Sequence, residues 1–155
     1  MKNLCVCFTG HRAIPSDVAP VIASRLYDTL KELIREGFSE FAAGGALGFD
    51  TLAARVVLAL KKDFPNVKLK LILPCLEQTK GWKRDDIAVY EAIKAEADEV
   101  IYTAREYSVG CMHLRNRKLV EESSVCVCYL TSERGGTAYT VKYALENGLR
   151  IINLA

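Results

Sequence analysis

Glu40-Phe41-Ala42-Ala43-Gly44-Gly45-Ala46-Leu47-Gly48-Phe49-Asp50-Thr51 reads as a short strand, a loop with three glycines and the opening of a helix. Backbone N–H groups in such a loop lie beside the positive end of the helix dipole, an arrangement that suits a phosphate or another anionic group. The pattern is neither the dinucleotide fingerprint G-x-G-x-x-G nor a Walker loop, so it does not point to a routine dehydrogenase or ATPase. It does mark a strand-to-helix turn, and the fold then depends on whether the rest of the chain repeats that unit.

The unit is repeated from end to end. Apolar runs at Leu4 to Thr9, Glu40 to Ala43, Val67 to Leu73, Glu99 to Thr103, Val125 to Leu130 and Arg150 to Leu154 predict six strands. After the first run, Val18, Ile22, Leu26, Leu30 and Leu33 fall at three- and four-residue steps, predicting a helix capped by Ser16 or Asp17 and ended by Gly37. A second helix opens at Asp50 or Thr51, turns Leu52, Val56 and Leu60 inward, and stops before Pro65. A third runs from Arg84 to Ala97 with Ile87, Tyr90 and Ile93 inward, a fourth covers Cys111 to Ser123, and the last spans Ala138 to Asn147 before Gly148. Short connections and strict alternation predict an α/β fold. It is read as a Rossmann-like, doubly wound, mainly parallel six-stranded sheet with helices on both faces, in one domain over residues 1–155. The expected strand order is 3-2-1-4-5-6, with the switch point between the first and fourth strands. Ligands in such sheets bind outside the carboxyl ends of the strands near that switch.

Composition narrows the partners. Half the residues are hydrophobic and 26% are charged, the balance of a folded globular chain rather than a disordered one. Lys and Arg total 21 against 19 Asp and Glu, so a net charge of +2 provides no broad attraction for nucleic acid or anionic membranes. Any anion site must be local. No run is long enough to span a membrane and no signal peptide fits before Leu4, so a cytoplasmic protein is expected. Alternation puts Cys5 with Cys7, and Cys126 with Cys128, on one face of their strands. Two such pairs could form a four-thiolate metal site, but the C-x-x-C spacing is absent, and the expected role is that of small buried hydrophobes with no metal and no disulfide.

The loops after the strands carry the candidate ligand-binding residues. After the first come Gly10, His11 and Arg12: a turn, an acid, base or donor, and a planar fork for phosphate or carboxylate. After the second come Gly44, Gly45, Gly48 and Asp50, the last either a helix N-cap or a carboxylate for a ribose hydroxyl or base. The loop after the third, with Pro74, Cys75, Glu77 and Gln78, holds the only tryptophan, Trp82, which either stacks on a base or packs as a lid. Arg115 and Asn116, with Arg117, follow the fourth strand and either reach the same edge or lie on a solvated helix face. After the fifth come Gly135, Gly136 and Thr137, a second glycine turn at a helix start, where Thr137 can cap the helix or meet a phosphate. Two such turns at one sheet edge argue for a phosphate-bearing ligand.

At these residues the chain resembles the SLOG superfamily, in particular its YpsA-like group. The matching stretches are TGHR, AAGGALGFD, LPCLEQTKGW, LRNRKLVEESSVCVCY and ERGGTAYT, in that order along nearly the whole chain. The resemblance implies a Rossmann-like fold similar to DprA DNA-processing proteins and LOG enzymes, and a nucleotide-derived ligand of the kind related to NAD or ADP-ribose. It assigns Gly44, Gly45, Gly48 and Asp50 to a ligand-facing loop, and Gly135, Gly136 and Thr137 to a phosphate-binding loop. LOG enzymes carry a catalytic glutamate three residues after that threonine. This chain has Thr140 there, so the resemblance does not extend to their phosphoribohydrolase chemistry.

The expected function is therefore binding or sensing of a nucleotide-like small molecule. One alternative is a hydrolase acting on an N-glycosidic or phosphate bond of a nucleotide, with Asp50, His11 or Glu133 as acid or base and Arg12 stabilising charge. The other is DprA-like binding of single-stranded DNA, against which the near-neutral charge argues. Whether the chain is an enzyme stays open at this point, and a homo-oligomer is compatible with the sequence.

Overall fold

The computed structural model describes residues 4–155. In chain order the elements are β1 (Cys5–Gly10), α1 (Ala19–Arg35), β2 (Glu40–Ala43), α2 (Phe49–Lys61), β3 (Lys68–Leu73), α3 (Arg84–Glu96), β4 (Glu99–Tyr102), α4 (Cys111–Glu121), β5 (Val125–Tyr129), α5 (Gly136–Glu146) and β6 (Arg150–Asn153). Every strand pairing is parallel, and the six form one sheet, so the Rossmann-like α/β expectation holds.

The strand order corrects the expectation. It is β4-β3-β2-β1-β5-β6, so the switch point lies between β1 and β5 rather than between the first and fourth strands. Burial supplies the reason. All five residues of β5 are buried, which suits the central place beside β1, whereas Glu99 of β4 is exposed and its other residues are only half-buried, which suits an edge. β4 therefore extends the β3 side, with Lys70 opposite Glu99, and the chain crosses back through α4 to reach β5.

Alternation along the central strands feeds two cores. Val6 and Phe8 of β1 and Val125, Val127 and Tyr129 of β5 pack with α1, α2 and α3 on one face. Cys5, Cys7, Cys126 and Cys128 face the other way and pack against Leu119, Val120, Val141 and Ala144 of α4 and α5. All six cysteines are free and buried, and burial pushes the Cys5 and Cys128 thiols up to about 11, as expected of thiols acting as small hydrophobes.

Three helix starts differ from the sequence reading. Neither Ser16 nor Asp17 caps α1; Val18 stands at the cap, and the Pro15 carbonyl accepts from the Val18 and Ala19 amides at 2.9 and 3.0 Å. α2 begins at Phe49 with Gly48 as its cap, so Asp50 sits inside the first turn. Its buried side is Phe49, Asp50, Ala53, Ala54, Val57 and Leu60, and Leu52 and Val56 are only half-buried, because the small alanines let α2 lie close on the sheet between α1 and α3. Ile87 of α3 is likewise half-buried, whereas Tyr90 and Ile93 are core residues. α5 starts at Gly136, so the second glycine pair is itself the helix start.

Candidate functional site

Since β5, β1, β2 and β3 are consecutive neighbours in the sheet, the loops leaving their carboxyl ends lie side by side. Between those loops and α4 opens a cavity of about 290 Å³. The β1 loop contributes Gly10, His11 and Arg12, and the β5 loop contributes Arg134, Gly135, Gly136 and Thr137. Asp50 and Ala46 enter from the β2 side, Gln78 and Trp82 from the β3 side, and Met112, Arg115 and Asn116 from α4.

Three predicted contacts do not reach it. Gly44, Gly45 and Gly48 are not part of the cavity wall, because each is turned into the protein. A side-chain carbon on Gly44 would enter the Arg115 guanidinium, one on Gly45 would meet Leu73, and one on Gly48 would lie 2.2 Å from the Arg12 carbonyl oxygen. Two amides of this stretch are also engaged. Ala46 N–H donates to Asp50 Oδ2 at 3.2 Å, and Phe49 N–H donates to the His11 carbonyl at 3.1 Å. In the first glycine loop the Ala46 amide thus already serves the chain's own Asp50 carboxylate.

Asp50 is only 7% exposed. Burial pushes its carboxyl up to about 6, opposed by Arg115, by the Ala46 amide and by Arg12. Arg115 is the counter-charge, buried along α4, and desolvation pulls it below its ordinary value. Its Nη1 donates to the Gly44 carbonyl, its Nε donates to Asn116 Oδ1 at 2.7 Å, and its Nη2 lies 3.7 Å from the Met112 sulfur. Arg117, one position beyond Asn116, points to solvent and donates to the Tyr139 hydroxyl at 2.8 Å instead. The two alternatives for these arginines are therefore both realised, one by each residue.

His11 braces the two loops that meet at the switch point. Its Nε2 accepts from Thr131 N–H at 2.9 Å, and its ring stands edge-on to Tyr129 at 5.7 Å. That bond occupies the nitrogen and places its proton on Nδ1. Trp82 packs edge-on against Tyr90 at 5.5 Å and also lines the cavity.

The second glycine turn differs from the first. Both α2 and α5 start from a positive-φ glycine with no side-chain cap, but a carbon added at Gly135 or Gly136 would meet nothing within 4 Å. Amides at such an uncapped helix start suit an incoming anion. Thr140, standing where LOG enzymes have glutamate, donates its hydroxyl to the Gly136 carbonyl at 2.9 Å and so works inside the helix.

Sequence reasoning missed Thr9, Ala46, Gln78, Met112 and Arg134 as wall residues. Gln78 is 8% exposed, donates from Nε2 to the Gly44 carbonyl at 3.3 Å, and leaves its Oε1 without a partner. Gln78 stands between Glu77 and Thr79-Lys80, so no feature of the sequence set it apart. Arg134 stands directly before the glycine pair, and neither it nor Arg12 has an ion-pair partner among the described residues.

Comparison with known proteins agrees with this architecture. DNA processing protein A of Helicobacter pylori superposes with a TM-score of 0.70 at 18% identity, covering 96% of this chain and 63% of that one. DNA processing protein A of Streptococcus pneumoniae gives 0.69 at 18% identity, covering 97% of this chain and 50% of that one. The chain thus spans between half and two thirds of those longer proteins, and at this identity the likeness shows the fold. A UPF0398 protein of Bacillus thuringiensis is 32% identical over 130 residues, 82% of this chain and 71% of the relative. With residues 6–150 matched by the model of the YspA SLOG family, the chain belongs to that family.

Proposed function

We propose that the chain binds a nucleotide-derived small molecule in the cavity at the carboxyl edge of its sheet. The observation that carries this reading is the start of α5, where Gly135 and Gly136 face open space beside Arg12 and Arg134, neither of which has an ion-pair partner among the described residues. A phosphate would sit there, Asp50 would hydrogen-bond a sugar hydroxyl or base, and Trp82 would stack on an aromatic ring. Six free buried thiols suit a reducing compartment, and no described helix is long and apolar enough to cross a membrane, so we take the cytosol as its setting.

A second reading, binding of single-stranded DNA, is favoured by one observation: the Helicobacter pylori neighbour is described with a single-stranded DNA binding mode. One thermal-shift panel separates the two. It holds nucleoside phosphates, NAD, ADP-ribose, cyclic nucleotides and a single-stranded oligonucleotide. A small nucleotide at a hundred times its Kd stabilises the fold by about 2.7 kcal/mol, which raises Tm by roughly 5–10 °C in a domain of this size. A shift with the oligonucleotide alone would favour the second reading, and no shift with any member would remove both. Conversion of a nucleotide during the same incubation would reveal hydrolase activity, for which Asp50 at the cavity wall is the candidate acid or base.

A further inference from the structure

Four of the buried cysteines, Cys5, Cys7, Cys126 and Cys128, belong to the core under α4 and α5. Cys75 and Cys111 are also buried but belong to neither core. Cys75 lies two residues beyond the end of β3, and Cys111 is the first residue of α4. The two segments run side by side, since Leu76 N–H donates to the Arg105 carbonyl at 3.2 Å, and the two thiols lie within hydrogen-bonding reach of each other. Each thiol stands at the root of a cavity wall. The β3 loop continues from Cys75 to Gln78 and Trp82, and α4 continues from Cys111 to Met112, Arg115 and Asn116. A bond between the sulfurs would fix the spacing of those walls.

Their surroundings suit oxidation better than packing. Residues 105–110, directly before Cys111, are all exposed, Val109 at 99%, and form no helix or strand. A cover with so few buried contacts opens locally without unfolding the domain. No side chain caps α4 at Gly110 and no acidic residue lies in its first turn, so the positive end of the helix stands uncompensated beside Cys111, an arrangement that suits a nucleophilic sulfur. A disulfide requires the sulfurs to close to about 2.05 Å, and a loop and a helix end can make that small shift. The Cys7 and Cys126 thiols also interact, but these residues are in-register partners on the central strands, where ladder bonds hold the backbone under α4 and α5.

We infer that Cys75 and Cys111 are a peroxide-oxidation site that closes to a reversible disulfide in the folded chain and resets the spacing between the β3 loop and α4. The Cys111 sulfur attacks one oxygen of hydrogen peroxide, the O–O bond breaks, and the other oxygen leaves as water with the thiol proton. The Cys75 sulfur then attacks the resulting sulfenic acid, the S–S bond forms, and the hydroxyl departs as a second water with the Cys75 proton. Two thiols are oxidised as one peroxide is reduced. A dithiol reductant reverses the bond, in keeping with the transient disulfides of reducing compartments. The switch acts whatever molecule the cavity takes.

The full chain is treated with hydrogen peroxide, blocked with an alkylating agent and mapped by non-reducing peptide mass spectrometry. Emission of Trp82, the only tryptophan, and far-UV circular dichroism are followed in parallel. The expected result is a loss of two free thiols per chain, a single link between Cys75 and Cys111, and a change in Trp82 emission at unchanged circular dichroism, all reversed by dithiothreitol. Cys75→Ser is expected to remove the link and leave Cys111 as a sulfenic acid that dimedone traps. Should that variant fail to fold, the map of the parent chain decides alone. A link between Cys7 and Cys126, mixed links, thiols that stay intact under excess peroxide, or oxidation that begins only as the circular dichroism signal is lost would each overturn the inference. A Cys75–Cys111 link that leaves Trp82 emission unchanged would overturn its effect on the cavity.

Discussion

Gly48→Ala is expected to lower Tm by roughly 10 °C, the value for a loss of about 3–5 kcal/mol in a domain of this length. Two strains add at this position. The backbone has φ +78°, which an L side chain rarely adopts, and the new methyl would lie 2.2 Å from the Arg12 carbonyl oxygen and 2.6 Å from that of His11. Backbone atoms cannot swing aside as a side-chain end can, so the β1 loop and the start of α2 would have to separate. The Phe49 N–H to His11 carbonyl bond at 3.1 Å would go with them. Gly136→Ala is the control, because a methyl there meets nothing within 4 Å, and a Tm within about 2 °C of the parent is expected. Equal losses in the two variants, read by thermal denaturation, would show that the first glycine loop is not a packing joint.

Arg115→Met is expected to destabilise the fold by about 3–5 kcal/mol at pH 8, because it strips a buried carboxylate of its nearest counter-charge. It also removes a donor from the Gly44 carbonyl, leaving that oxygen only the Gln78 amide among the hydrogen bonds seen here. The loss should depend on pH in a definite direction. Asp50 has its carboxyl raised by burial from 3.8 to about 6, so the folded state holds its proton where the unfolded chain has released it. The contribution of Asp50 to stability is therefore most favourable in acid, falls as pH rises from about 4 through about 6, and above that range is a burden of about 3 kcal/mol from the ionised group. Without Arg115 the carboxyl rises further and the fall continues to higher pH. Urea denaturation of parent and variant at pH 5 and pH 8 should give a wider gap at pH 8, and equal gaps would show that Arg115 does not support Asp50.

Much of this architecture could be read from residue pattern. Each of the six apolar runs became a strand within a residue or two, because a parallel sheet buried on both faces needs near-continuous apolar segments such as Val125–Tyr129. Strand order was harder. A sequence shows that β4 exists but not which edge it joins, and the deciding difference, full burial of β5 against partial burial of β4, is a property of the assembled sheet.

The site was legible in the same uneven way. Loops at the carboxyl edge could be named from their position after strands, and ten of the thirteen residues expected to meet the ligand do line the cavity. Gly44, Gly45 and Gly48 lie outside the cavity wall, and a glycine needed for close packing and a glycine needed for anion approach look identical in sequence. Only the neighbours distinguish them: Arg115, Leu73 and the Arg12 carbonyl in the first loop, and open space in the second. Gln78 escaped for a related reason, since its unpartnered Oε1 arises from long-range packing around the Gly44 carbonyl.

The start of α5, and not the glycine loop before α2, is expected to receive the ligand's phosphate. Amide chemical-shift mapping during titration with a ribonucleoside 5′-monophosphate tests it residue by residue. Saturable shifts largest at Gly135, Gly136 and Thr137, with smaller ones near Asp50 and Trp82, are the expected result. Largest shifts at Gly44 to Gly48, or along the α2 and α3 groove near Arg55 and Lys62, with the α5 start unmoved, would contradict it.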